Sequence, residues 1–522
     1  MNSYDELPYD SHPYDRTHPD HLAAVGTLFG MTPPDAARCR VLELGCASGG
    51  NLIPQAVAAP ESRFVGIDLS QRQLESGWEL IRQLELDNIE LRHQNILEFP
   101  EDDGPFDYII CHGVYSWVPP EVQQRILEIC ARQLTENGLA YISYNTNPGW
   151  FLRGMVRQMM CYHARQFDSP QKKVEQARAL LDFLIGAGPA GDPTYHSLLT
   201  RELEIVRNRA DSYLYHEHLE EENSPVFFHE FVERSQQAGL KYVGETQLSE
   251  MVPGNFSKQA EETLKELGVG LVQAEQYLDF LRNRTFRRSL LCRESVALDR
   301  NLHFGKLQGL HVGSNLRPQG PIGDIGHHGD EQFSSPDGRQ VRVGHSLVKA
   351  ALVELSERWP GTVCYDELAS LADVRRAGGP VMRSAAGLEQ ERQELGSTII
   401  ELYANDLVEL RSQPPRYQTE LSSHPFASPL ARIQIAAGSD ALVTNLRHQM
   451  LQLSESQSQL IRLLDGTHDR RALLLAFREL LASGTLVVDN GGKTVDGIED
   501  ELLEQLIEHD LSLLSEKALL LR

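Results

Sequence analysis

The stretch Val41-Leu42-Glu43-Leu44-Gly45-Cys46-Ala47-Ser48-Gly49-Gly50-Asn51 joins a short apolar run to a glycine-rich bend. The run reads as a buried strand, and Gly45 and Gly49 permit a tight turn whose backbone amides approach a ligand closely. Nicotinamide and flavin binders use such a turn too, and two carboxylates separate the cases. Glu43, two residues before the first glycine, lies beneath the bend, where it would repel a pyrophosphate but suit a cationic amino-acid or sulfonium ligand. Asp68 ends a second run, Val65-Gly66-Ile67-Asp68-Leu69, nineteen residues after Gly49, and can accept both hydroxyls of a ribose. A plainer reading has both acids capping helix N-termini, which leaves their shared place at strand ends unexplained.

Outward from this stretch, strand and helix alternate from 39 to 145. Apolar runs at 39–44, 63–67, 89–92, 106–111 and 139–144 read as strands, with helical patterns at 51–58, 71–84 and 120–134 between them. This order predicts an α/β fold, a doubly wound Rossmann-like parallel sheet with ligands at the carboxyl ends of its strands. Residues 149–223 then read as helical, and 240–244 and 286–292 as the last two strands of the same sheet. The sheet becomes seven-stranded, with residues 151–224 a helical insertion and 225–300 completing it. Seven glycines and two prolines between 305 and 329 read as a linker, placed at 301–344. Helix, short helix, longer helix and strand at 345–422 predict a winged-helix-like domain, weakly echoed in a C-terminal helical or winged-helix-like region at 423–522.

Charge bounds the partners. Across 522 residues the net charge is −25, and from Ser346 to Glu420 eight Lys/Arg face twelve Asp/Glu. Phosphate neutralisation needs the opposite sign, so no nucleic acid is expected and a basic protein partner is favoured. No apolar run approaches the ~20 residues of a membrane span. The seven cysteines are scattered with no Cys-x-x-Cys pair, which with a start lacking signal-peptide character predicts a cytoplasmic location. His216-Glu217-His218 and His327-His328 lack the spacing of a zinc enzyme, so no metal is expected.

Further candidates sit at strand ends. Asn95-Ile96 follows the third strand, where the amide can read an adenine edge with Ile96 against the ring, or simply satisfy its own loop backbone. Asp107, at the start of the fourth strand, reads as structural. His112, Tyr115 and Trp117 follow that strand and read as a pocket wall. After the fifth strand, Asn145 offers a carbonyl acceptor for a substrate nitrogen, and Trp150 an apolar or cation–π face.

These residues resemble those of class I S-adenosylmethionine-dependent methyltransferases: Glu43-x-Gly45, Gly49, Asp68, Asn95 and the segment from Phe106 to Trp117. Ala47 stands where many relatives have glycine, and Asn95 where Asp is commoner. More closely, the chain resembles bacterial methyltransferases with a methyltransferase regulatory domain, which include protein-lysine methyltransferases. The similarity lies in Tyr4-x-x-x-Pro8-Tyr9-x-Ser11-x-Pro13-Tyr14-x-x-Thr17-x-Pro19, Tyr115-Ser116-Trp117-Val118-Pro119 and Tyr144-Asn145-Thr146. It continues in Tyr213-Leu214-x-His216-Glu217 and Asp279-Phe280-Leu281-Arg282-Asn283-Arg284-Thr285-Phe286-Arg287. The resemblance implies S-adenosyl-L-methionine as cofactor, held by Glu43, Gly45, Cys46, Gly49, Asp68, Leu69, Asn95, Ile96 and His112. Tyr115, Trp117 and Asn145 would line the substrate pocket. The implied acceptor is a nitrogen, a protein lysine or an amino-bearing small molecule. Residues 1–38 would form a strap or lid, and the insertion a lid or homodimer contact. A non-catalytic cofactor-sensing scaffold is the reading from another class.

Overall fold

The computed structural model describes residues 11–521 except 189–192, 208, 253–255, 267–269, 321–324, 326–328, 380–384, 418–419, 439–441 and 487–499. Tyr4, Pro8, Tyr9 and His327-His328 lie outside the described residues.

After helix α1 (Pro19–Leu28) the chain builds β1 (Arg40–Leu44), α2 (Leu52–Ala58), β2 (Arg63–Asp68), α3 (Gln71–Gln83) and β3 (Ile89–His93). It continues through β4 (Phe106–Cys111), α4 (Pro120–Gln133) and β5 (Leu134–Asn145). Helices α5 (Gly149–Ala164), α6 (Pro170–Gly186) and α7 (Pro193–Arg207) follow, and then α8 (Phe228–Gln237), β6 (Leu240–Glu245), α9 (Leu271–Arg282) and β7 (Phe286–Arg293). All seven strands form one sheet in the order β3-β2-β1-β4-β5-β7-β6. The first five are parallel, and β7 runs antiparallel to both β5 and β6. The expected seven-stranded fold is present, and α5–α7 interrupt it with a small core of their own around Met160, Leu181 and Leu203.

Alternate residues of the central strands serve two cores, the period-2 signature of a sheet covered on both faces. Leu42, Ile109 and Ile142 pack on one side with α4 and α8. Val41, Tyr108 and Tyr141 pack on the other, with Leu22 of α1, and that core runs on without a break into Leu347, Leu395 and Leu410. The expected linker differs here. His311–Gly313 is a strand between Val363–Cys364 and Glu409–Arg411, and Leu310, Val312 and Leu316 are buried. Gly313 closes that strand and Gly305 sits in a short helical turn, Phe304–Leu307. The C-terminal part, around Leu460, Phe477 and Leu511, holds a separate core.

One buried ion network locks β6, β7 and α9 together. Arg287, fully buried, donates twice to Asp279 at 2.8 Å, to Glu245 Oε1 at 2.8 Å and to Glu275 Oε2 at 3.1 Å. Its guanidinium lies 3.7 Å from the centre of the Phe228 ring. Replacing Arg287 with Ala leaves three carboxylates buried without their common cation, so urea unfolding should show a loss of ~3–5 kcal/mol.

Candidate active site

The bend after β1 is built as its glycines require. Gly45 and Gly49 both have φ of +77°, and a Cβ on Gly45 would collide with Val114 Cγ2. The N–H groups of Gly45 and Cys46 donate to Ile67 O at 2.9 and 3.0 Å, turning the chain across the end of β2. Ala47 also has positive φ, 50°, a conformation costing ~1–2 kcal/mol for a residue with a Cβ. Asp68 holds it there: Oδ2 accepts the Ala47 N–H at 2.8 Å, while Oδ1 accepts the Ser70 N–H at 2.8 Å. Ser70, rather than Asp68, caps α3. Cys46 contributes backbone; its buried thiol is raised well above the ordinary range by desolvation.

Beneath the bend, Glu43 is 3 % exposed. Its Oε1 accepts from Asn51 Nδ2 at 2.7 Å, and Oε2 is buried without a partner among the described residues. No helix N-terminus takes this carboxylate, so the capping alternative does not describe it. Burial pushes its pKa up to about 8, opposed by the Asn51 bond and aided by the Asp68 charge. Asn51 Oδ1 accepts the Tyr14 N–H at 2.9 Å and lies 3.0 Å from the Thr17 hydroxyl. It also meets Nε2 of His448, at 2.7 Å, from the C-terminal unit. Because Oδ1 only accepts, Nε2 carries the proton. Burial holds His448 well below the usual imidazole range, so this donor is neutral.

The N-terminal tract lies over the bend. Gly50 N–H donates to Ser11 Oγ at 2.9 Å. Tyr14 lays its ring, tilted by 38°, with its centre 3.7 Å from that of His112, whose Nδ1 meets the Tyr141 hydroxyl at 2.8 Å. Desolvation lowers the His112 pKa to about 3, so the ring is neutral.

The other candidates divide. Leu69 and Leu97 are exposed at the ends of β2 and β3, and Ile96 is buried behind them. Asn95 Oδ1 accepts the Leu97 N–H at 3.0 Å, the self-capping alternative. Asp107 is structural, accepting from Arg40 N at 2.8 Å. Trp117 is half-buried and meets Trp150 edge-on, ring centres 6.0 Å apart. Trp150 is buried, and Arg153 lies 5.5 Å from its ring centre, a cation from its own chain. Asn145 is buried, its Nδ2 3.5 Å from Asn223 Oδ1. Tyr115 is a correction: it is fully buried, packed edge-on against Phe231 and Tyr144, in the core and not on a pocket wall. His216 and His218 are buried in a π-turn, and no metal-binding cluster occurs among the described residues. No helix among them is long and apolar enough to cross a membrane.

Known proteins share this arrangement. Residues 35–183 match the family described as methyltransferase domain, 210–293 that described as predicted methyltransferase regulatory domain, and 423–519 that described as PKMT, C-terminal winged helix domain. The structure of PKMT2 from Rickettsia typhi in complex with AdoHcy superposes with a TM-score of 0.86 at 30% identity, covering 98% of this chain and 100% of that one. RP789 of Rickettsia prowazekii is 33% identical over 504 residues, 96% of this chain and 90% of its own length. The chain belongs to this methyltransferase family. RP028 of the same organism is 40% identical over 239 residues, 46% of this chain and 96% of its own. The methyl donor of such an enzyme, S-adenosylmethionine, fits what the site holds: an unpartnered buried carboxylate oxygen for a cation, and a bend too close-packed for a side chain.

Asn51 and His448 are the parts that sequence reading passed over. Asn51→Ala would strand Glu43 and His448 together, each a buried polar group costing ~1–3 kcal/mol when unsatisfied. Urea unfolding of N51A, H448A and the double variant should show less than additive losses, since both remove one shared bond.

Proposed function

We propose that this enzyme transfers the methyl group of S-adenosylmethionine to lysine side chains of protein substrates. The observation that carries the donor end is Glu43, buried below the glycine bend with one oxygen unpaired. In this reading Glu43 would hold the cationic part of the donor, and the Gly45–Gly49 backbone its methionine end. Asp68 exchanges its bond to the Ala47 amide for the ribose hydroxyls, and Leu69, Asn95 and Ile96 flank the adenine. His112, neutral and clasped between Tyr14 and Tyr141, closes the site from the β4 side without adding charge beside the cation.

The donor supplies an activated methyl carbon, and the residues supply alignment and exclusion of water. The lysine nitrogen uses its lone pair to form the new N–C bond while the S–C electrons return to sulfur, and a proton leaves the nitrogen. An ordinary lysine, pKa ~10.4, must first lose a proton, and passage along the Trp117–Trp150 edges favours the neutral amine by desolvation. Asn145 accepts a hydrogen bond from that nitrogen and orients it. The lysine acceptor is supported by the likeness to PKMT2 along the whole chain and by the PKMT winged-helix match. Tritium-labelled donor incubated with the enzyme and a bacterial lysate should label protein, in lysine on hydrolysis; label confined to small molecules would overturn the acceptor assignment.

Asp68→Ala should keep its circular dichroism and lose donor affinity by roughly 10²- to 10⁴-fold, two charge-assisted bonds at ~1.5–3 kcal/mol each. Calorimetry checks both ligand forms, donor and spent thioether. Glu43 sets the pH dependence. Free enzyme holds its proton up to about pH 8, and a cationic ligand must displace it, so donor affinity should climb as pH rises toward that value and level off beyond. Glu43→Gln should flatten the profile. The same raised pKa makes the native state bind a proton that the unfolded chain has lost, so free-enzyme stability should fall between the ordinary value of 4.5 and about 8.

A further inference from the structure

A cleft of about 800 Å³ opens between α5, α7 and the amino end of β7. Its charge runs against that of the chain. Arg153 and Arg201 reach it from the insertion, Arg282, Arg284 and Arg288 from α9 and β7, and Arg339 from the following unit. Three carboxylates line the cleft beside these six guanidinium groups, Asp279 and Asp337 pair with Arg284 and Arg339 from outside the lining, and Oε2 of Glu202 and of Glu250 is buried without a hydrogen-bond partner among the described residues. Glu202 meets Arg153 at 3.6 Å, Glu250 is shared by Arg288 and Arg284, and Asp406 takes the Ser249 hydroxyl at 2.8 Å and Arg16 at 3.5 Å. Arg282 is turned onto backbone carbonyls, Val252 O at 2.7 Å among them. Arg201 is exposed with no ion pair among the described residues. Arg284 is 8 % exposed, and its Nη1, like Nε of Arg288, is buried without an acceptor among the described residues. Buried guanidinium donors left open beside a cleft call for an anion.

The position of the cleft says whose anion it is. Phe286 lines it and sets its ring 6.2 Å from that of His112, and Gly149, four residues after Asn145, forms its rim. The cleft therefore adjoins the β4–β5 end of the site, away from β2 and β3 where Asp68 and Asn95 lie. That is the side from which an acceptor must approach. We propose that this cleft docks acidic side chains flanking the target lysine of a substrate polypeptide, so that the enzyme selects lysines in acidic surroundings. The proposal rests on the protein-methylating reading above and reverses the expectation of a basic partner drawn from the overall −25 charge.

The test uses the full chain and a rhodamine-labelled Glu/Asp-rich peptide lacking lysine, followed by anisotropy. It should bind, weaken with salt, and lose roughly tenfold in affinity in Arg201→Glu while Arg201→Lys retains binding. Donor affinity by calorimetry should stay unchanged in Arg201→Glu; an equal loss there would assign the cleft to the donor's own carboxylate and overturn the proposal. Failure of the acidic peptide to bind, indifference of binding to Arg201→Glu, or tighter capture of an oligonucleotide of equal charge would overturn it too. In transfer assays, lysine peptides flanked by Glu should show a lower KM than the same peptides flanked by Arg, with kcat alike. If no peptide is methylated at all, the lysine assignment fails while the lysine-free binding measurement still decides the cleft.

Discussion

The site depends on one buried amide. Asn51 gives its N–H to Glu43 and receives at its oxygen a backbone N–H from the N-terminal tract and an imidazole N–H from residue 448. A carboxylate taken out of water is tolerated only when its lone pairs are met or its proton retained. Asn51 meets one oxygen and leaves the other open. That open oxygen lies beneath the glycine bend, buried and without a hydrogen-bond partner among the described residues.

The same bonds explain why three distant parts of the chain pack where they do. The tract at 11–17 is held through Ser11, Tyr14 and Thr17, all of which bond the bend or Asn51. The C-terminal unit has a core of its own, yet it abuts the rest through polar contacts: His448 on Asn51, and Arg447 on Glu409 at 2.9 Å. The unit between them shares the sheet's own core through α1. Apolar packing thus joins the chain as far as Leu410, and directional bonds tie the C-terminal unit to the bend.

The sheet was legible because its strands are buried on both faces, and continuous apolar runs bounded by Gly, Asp and Asn stand out. The placement of Asp68 and Glu43 near strand ends was legible for the same reason, as charges interrupting such runs. Short strands were not: His311–Gly313 has three residues, too few to show alternation, and its glycines read as a linker. Tyr115 misled because a side chain in a 3₁₀ turn points inward or outward by sub-residue geometry that no spacing rule carries. His448 offered no signal at all; its partner lies 397 positions away, and a lone histidine near a hairpin carries no mark of where that hairpin lands.

That separation has a consequence for how the polypeptide comes into being. A nascent chain emerges from its amino end, so the glycine bend and Glu43 are exposed long before the imidazole that steadies Asn51 has been made. Until residue 448 has been made, Asn51 lacks the imidazole N–H that it accepts in the folded protein. A chain that stops short of residue 448 leaves the buried oxygen of Asn51 with only the donors of the N-terminal tract.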